Sequence, residues 1–412
     1  MPSAVASHWT PICDGALADE LRTTTRAIAG ALVEHRFDDP SLTGAGGAAL
    51  LFAYLARAYP AADFAAVSER LLEHAAAGLA RAPLGASLLG GFTGLAWCVE
   101  HVAPSAPDED DEDDSNASID DALAALLARG AWHFDLVDGL VGVGVYLLER
   151  TPRPAALACL GRVLERLDAL AERRPDGLTW KTAPEALGPG RVHHPDGYYN
   201  LGLAHGVPGV IAFLAHVCAI PSLGARARPL LQGAVAWLRG RRLAHGFPCL
   251  DGGSDAARSA WCYGDAGVAL ALLQAARVLD DATCEREAIA LALDAAARPP
   301  GATGVVDASL CHGSAGLAHM YNRCYQATRE PRLAAAARTW YERTLALRVP
   351  GRGLAGFEAY LPDASVPEGG RADQQAGFLV GATGVALALL GAVSSVEPAW
   401  DRTLLLALAP QG

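Results

Sequence analysis

Three residues in two short stretches have the types that bind a soft divalent metal. Cys262 lies in "RSAWCYGDAG", and the adjacent pair Cys311 and His312 lies in "SLCHGSAGLAH". Two thiolates and an imidazole make a Cys2His set. Three protein ligands leave a tetrahedral Zn²⁺ one open position, the arrangement of catalytic rather than structural zinc. Adjacent helical residues point about 100° apart, so Cys311 and His312 can meet one metal only where the backbone is not yet helical. Read singly, either cysteine is a buried small hydrophobe. Their shared position in a repeat, described next, favours the metal.

Further candidates surround this set. His205, in "GLAHGVPG", has a side chain suited to acid or base work near neutrality; a cap or a packed ring is the alternative for a lone histidine before a glycine. Arg258, four residues before Cys262, can anchor a carboxylate or steady a developing oxyanion. Asp135 and Asp138, in "FDLVDGLVG", can orient or charge His205. Helix N-capping is the competing role and suits Asp138.

These residues need elements to position them, and the glycines mark those elements. A G-x-x-G followed by an apolar run occurs at Gly44/Gly47, Gly91/Gly94, Gly139/Gly142, Gly206/Gly209, Gly264/Gly267, Gly313/Gly316 and Gly381/Gly384. The first glycines are 47, 48, 67, 58, 49 and 68 residues apart. Runs such as "AALLFAYLA" and "VALALLQAA" are apolar on nearly every face, as in helices buried on all sides. Between them lie one-sided segments such as "FAAVSERLLEHAAAGLARA" and "ACLGRVLERLDALAERR". Seven copies with this alternation predict seven helical hairpins with an inner and an outer layer. The glycines would let neighbouring inner-helix entrances approach closely. One residue before the first glycine stand Asp138, His205, Tyr263 and His312; two before it stand Cys262 and Cys311. The chemistry therefore gathers at one end of successive inner helices.

Composition agrees. Hydrophobic residues are 51% and charged residues 19%, with alanine and leucine dominant, which favours helices. A net charge of −12 argues against a nucleic-acid binder. Seven of those charges sit in "DEDDEDD", 108–114, within an acidic loop expected over 107–118 and read as solvated, with a contact for a basic partner segment as the alternative. No basic-then-apolar leader is visible at the N-terminus. Nine cysteines without framework spacing suit a reducing cytoplasm. Cys13, Cys98, Cys159, Cys218, Cys249, Cys284 and Cys324 are read as structural. The uncharged segment 376–396 is read as the seventh inner helix, not a transmembrane segment. Two long intervals place excursions at 171–200, an inserted loop or small strand-containing extension, and at 349–375; both are candidates for substrate or partner contact.

"LAHGVPG", "RSAWCYGDAG" and "LCHGSAG" together resemble the signatures of the lanthionine synthetase C-like cyclases, and the resemblance covers essentially the whole chain. It implies an all-α fold, an α/α toroid of seven inner and seven outer helices, as one domain over 1–412. It implies zinc on Cys262, Cys311 and His312, an active-site histidine at His205, an aspartate at Asp135, and flanking Arg258 and Tyr263. Asp138 lies close enough to compete for the aspartate's role. The implied reaction is Michael-type addition of precursor-peptide cysteine thiols to dehydroalanine or dehydrobutyrine, giving thioether rings. Whether His205 acts as acid or base stays open. With no dehydratase or kinase domain in the sequence, a stand-alone lanthipeptide cyclase is expected. Its expected partners are a dehydrated precursor peptide, a dehydratase and an exporter, with cytoplasmic localisation or membrane association through that complex.

Rival readings follow from the same residues. Eukaryotic members of the family look like glutathione-adding enzymes acting on dehydroamino acids in proteins. Zinc prenyltransferases also use an α/α barrel, but their zinc set includes an aspartate and their barrel an aromatic lining not evident here. A non-catalytic zinc-containing scaffold for a dehydratase complex would normally show a fourth protein ligand.

Overall fold

In the computed structural model, the structure describes residues 9–81, 84–104, 114–362 and 370–408. Each of the seven first glycines is the N-cap of an apolar helix. These helices are α2 (Ala45–Ala58), α4 (Phe92–Val102), α6 (Leu140–Glu149), α8 (Val207–Cys218), α10 (Asp265–Leu279), α12 (Ser314–Thr328) and α14 (Ala382–Val393). They alternate with amphipathic helices α1 (Gly15–Val33), α3 (Phe64–Arg81), α5 (Ala117–Arg129), α7 (Pro154–Leu170), α9 (Gly224–Arg239), α11 (Ala282–Ala297) and α13 (Pro331–Ala346). Every residue of α14 is buried, whereas α3 buries only Ser68 and Ala75. No helix among the described residues is long and apolar enough to cross a membrane. With 12 residues, α14 is about 18 Å long, well short of a bilayer core.

The chain divides into two compact units, 1–78 with 305–400 and 79–304 with 401–412. In the first, α1 packs on α14, α12 on α13 and α14, and α14 on α2. In the second, each apolar helix of the series α4, α6, α8, α10 packs on the next, and α6, α8 and α10 carry α7, α9 and α11 as partners. Shared entrance geometry explains the repeat. The first N–H of α4, α6, α8, α12 and α14 donates to the carbonyl seven residues earlier, at 2.8 to 3.0 Å. The loop thus folds back over the helix start. The second glycine of the pair makes room for it: a Cβ on Gly142 would lie 2.3 Å from the Leu136 carbonyl and 2.9 Å from Leu88 of the preceding entrance. Successive entrances are also stitched backbone to backbone. Leu88 N–H donates to Val137 and Leu136 N–H to Ala204 in the second unit; Cys311 N–H donates to Leu379 and Phe378 N–H to Thr43 in the first.

Short strands lie within 171–200, where a small strand-containing extension is expected, and three details differ from expectation. The one-sided run expected through Arg174 stops being helical at Leu170, because the Trp180 indole takes the end-of-helix carbonyl of Leu167 at 2.8 Å. Glu172–Arg174 then pairs antiparallel with Gly177–Thr179, as strands β1 and β2, and β2 lies on α9. Pro184–Val192 forms 3-10 turns. In the later excursion, β3 (Ala359–Pro362) pairs with β4 (Gly370–Asp373). The acidic run lies outside the described residues except for its last member, and that one is not solvated. Asp114 is buried against Arg150, whose guanidinium also meets Glu100 at 2.7 Å and Asp120 at 2.6 Å, while Arg153 meets Asp114 at 3.3 Å. Breaking such a buried network costs about 3–5 kcal/mol. Lastly, Asp138 makes no side-chain cap on α6; its N–H instead donates to Asp135 Oδ1 at 2.8 Å.

Candidate active site

In the second unit the turns before α6 and α8 bring Asp135 and His205 together. Asp135 Oδ2 lies 2.7 Å from His205 Nδ1. A carboxylate only accepts, so Nδ1 carries a proton and Nε2 is the nitrogen left for chemistry. Burial disfavours the charged imidazole, but the hydrogen bond and charge of Asp135, helped by Asp138 and Cys262, outweigh it and raise the His205 pKa above its ordinary value. Burial likewise opposes the Asp135 charge, yet hydrogen bonds from His133 and His205 hold its carboxyl well below the usual range. Burial and the neighbouring Asp135 charge raise the Asp138 pKa. The partner of His205 is therefore Asp135.

Cys262, Tyr263 and Arg258 share the turn before α10. Arg258 Nη2 lies 3.8 Å from Cys262 Sγ. This entrance departs from the others: its N-cap Gly264 has φ +122°, where the other six have negative φ. A side chain there is strained, and its Cβ would lie 2.3 Å from the Arg258 carbonyl. The Tyr263 hydroxyl accepts from Asn200 Nδ2 at 2.9 Å. Burial pushes its phenol up to about 12, so the hydroxyl keeps its proton to donate.

In the first unit the turn before α12 holds Cys311 and His312 on non-helical backbone, as two neighbours sharing one metal require. His312 is buried; its Nε2 lies 3.2 Å from Asp307 Oδ2 and 3.3 Å from the Tyr360 carbonyl. Both partners accept only, so Nε2 carries the proton and Nδ1 the lone pair. A metal-binding histidine typically donates its other nitrogen to a carboxylate or carbonyl in this way, so the His312 tautomer fits the role. No three His, Cys, Asp or Glu side chains among the described residues form a ready-made metal cage. Burial raises the pKa of the other seven thiols and so makes them poor nucleophiles. Among them Cys249 is exposed, and a charge on Cys262 raises it further.

Comparison with known proteins gives the family and the fold. Residues 37–405 match the family described as lanthionine synthetase C-like protein. The chain belongs to that family. No curated protein matches it. Among solved structures, nisin cyclase is similar at a TM-score of 0.71 and 19% identity, over 93% of this chain and 97% of nisin cyclase. That likeness shows the fold: an all-α α/α toroid.

Within this lanthionine synthetase C-like chain, a set of supporting residues escapes a reading confined to the two positions before each first glycine. Six residues before it stand His133, Asn200, Arg258 and Asp307. Each reaches a site residue: His133 lies 3.4 Å from Asp135, Asn200 bonds Tyr263, Arg258 approaches Cys262, and Asp307 holds His312. The fold-back hydrogen bond anchors this position over the helix start at His133, Asn200 and Asp307. Arg258 is already a candidate from its closeness to Cys262; the register carried back to that position marks His133, Asn200 and Asp307 as well.

Proposed function

We propose that the chain is a stand-alone zinc-dependent lanthipeptide cyclase, forming (methyl)lanthionine rings from a dehydrated precursor peptide within one catalytic domain. The observation that supports this most is the Asp135–His205 pair, set in the same repeat register as Cys262 and the Cys311–His312 pair. Zinc held by Cys262, Cys311 and His312 would supply a thiolate near neutrality from a peptide thiol whose ordinary pKa is about 8.5. Around it the chain's own side chains handle charge and protons. Attack of the peptide sulfur on the β-carbon forms the C–S bond and places the electron pair of the broken π bond on an enolate. Arg258, beside Cys262, steadies the enolate oxygen. His205 delivers a proton from Nε2 to the α-carbon, and the proton lost by the thiol restores it. Asp135 keeps the imidazole oriented and its charged form favoured. Tyr263, held by Asn200, is a further donor.

On this reading the partners are the precursor peptide, a dehydratase and an exporter, and the protein works in the cytoplasm, held at the membrane through that complex. The test is to incubate purified protein with dehydrated precursor, count zinc, and follow free thiols by alkylation, with glutathione present in a parallel sample. Rings without adducts, at one zinc per chain, are expected. Glutathione adducts in place of rings would transfer the activity to the glutathione-adding class. Rings formed at the wild-type rate by Cys311→Ala would remove catalytic zinc.

A further inference from the structure

The residue that holds His312 is itself unusually well held. Asp307 is buried and takes four donors: Ser309 N–H at 3.0 Å and Ser309 Oγ at 2.8 Å on Oδ1, and Tyr360 N–H at 2.8 Å and His312 Nε2 at 3.2 Å on Oδ2. Gly313, directly after His312, has no room for a side chain because a Cβ there would lie 2.4 Å from Asp307 Oδ1 and 2.1 Å from the Ser309 nitrogen. The carboxylate therefore lies over the helix start. Tyr360 contributes from both sides of its peptide, since its N–H donates to Asp307 and its carbonyl lies 3.3 Å from His312 Nε2. Strand β3 is thereby tied to the turn that carries Cys311 and His312.

We infer that Asp307 is a positioning residue: it fixes the Nε2-protonated tautomer and ring orientation of His312, so that Nδ1 is the atom offered to the metal. The inference rests on the zinc reading above and extends it to a residue outside the ligand set. An ionised carboxylate with all its bonds made cannot reverse its role, so the imidazole has one way to sit. Without it, the ring loses its charged acceptor, and the neutral imidazole could populate the other tautomer. Losing such a partner typically weakens metal binding ten- to a hundredfold.

The experiment measures zinc affinity of full-length wild type and Asp307→Asn by competition with a chromophoric chelator. Alongside it, the melting temperature of each metal-free protein reports folding. A tenfold or greater loss of affinity in a folded variant is expected; wild-type affinity in Asp307→Asn overturns the inference. Should the variant fail to fold, the wild type decides by itself. ¹⁵N-histidine spectra of the metal-free protein, with the His312 signal identified by its loss in His312→Gln, should show Nε2 protonated. An Nδ1-protonated His312 overturns the assignment. Zinc binding without ring formation would remove the cyclase reading and leave this one intact. A wild type that takes no zinc removes both.

Discussion

Two histidines stand one residue before the first glycine of their repeats, each bonded to an aspartate, and they are wired in opposite senses. His205 gives Nδ1 to Asp135 and keeps Nε2, and its side chain is 41% exposed. His312 turns Nε2, not Nδ1, to Asp307 and to the Tyr360 carbonyl, and its side chain is 9% exposed. The repeat therefore sets where a histidine stands, and the carboxylate's own position sets what it can do. Asp135 comes from the turn of the preceding copy, Asp307 from the same turn as its histidine. A half-exposed imidazole with its outer nitrogen available suits proton transfer; a buried one with a fixed tautomer suits ligation.

The widest separation of the two should come from truncating each in turn. His205→Ala is expected to keep its zinc and lose about 10²–10⁴-fold in ring formation, whereas His312→Ala should lose the zinc itself. Metal analysis beside thiol-consumption rates reads both, and zinc loss in His205→Ala would break the distinction. A smaller effect is expected from Asp135→Asn, which removes the charge that raises the His205 pKa. Its titration, followed by histidine NMR, should move down in pH; an unchanged midpoint would mean that Asp135 does not set it. The stability consequence has a definite sign. Because the folded His205 value is raised, its contribution is complete below about pH 6.5 and fades as pH rises through the folded value. Because the folded Asp135 value is depressed, its contribution is present above about pH 3.9 and is lost only as pH falls well below that. Melting temperature against pH should lose both slopes in Asp135→Asn. Tyr263→Phe should have the smallest effect, about 1 kcal/mol of stability, because it removes one hydrogen bond of the buried Asn200 amide, which also meets Tyr198. A denaturant midpoint equal to wild type would show that this bond does not contribute.

What could be read in the sequence was what repeats. Gly-x-x-G with an apolar run is one physical requirement met seven times, so the helix starts and the shared register of the candidate residues were legible, as was the non-helical seat of Cys311 and His312. Three supporting residues were not, because His133, Asn200 and Asp307 share a position but no chemistry; Arg258, at the same position, was legible only through its closeness to Cys262. What unites them is the folded-back loop, and a hydrogen bond from a helix's first N–H to a carbonyl seven residues back leaves no mark on residue type. Asp114 was misread for a related reason. At the end of a charge run it looks like its neighbours, and only Arg150, 36 residues later, makes it a buried partner. Asp138 was a plausible cap from its place beside Gly139, but Asp135 already receives its N–H.

The bond from Phe378 N–H to the Thr43 carbonyl joins the seventh copy to the first. In an open array of repeats the two terminal units each expose a face that must be made polar, and those units become specialised caps. Here α14 lies against α2 and α1, and the backbone of Ile12 and Cys13 closes on the carbonyl of Ala392. Neither the first nor the last copy has to serve as a lid for the rest. The last can be as greasy as "ATGVALALLGAV" without inviting aggregation, because the chain's own beginning covers it.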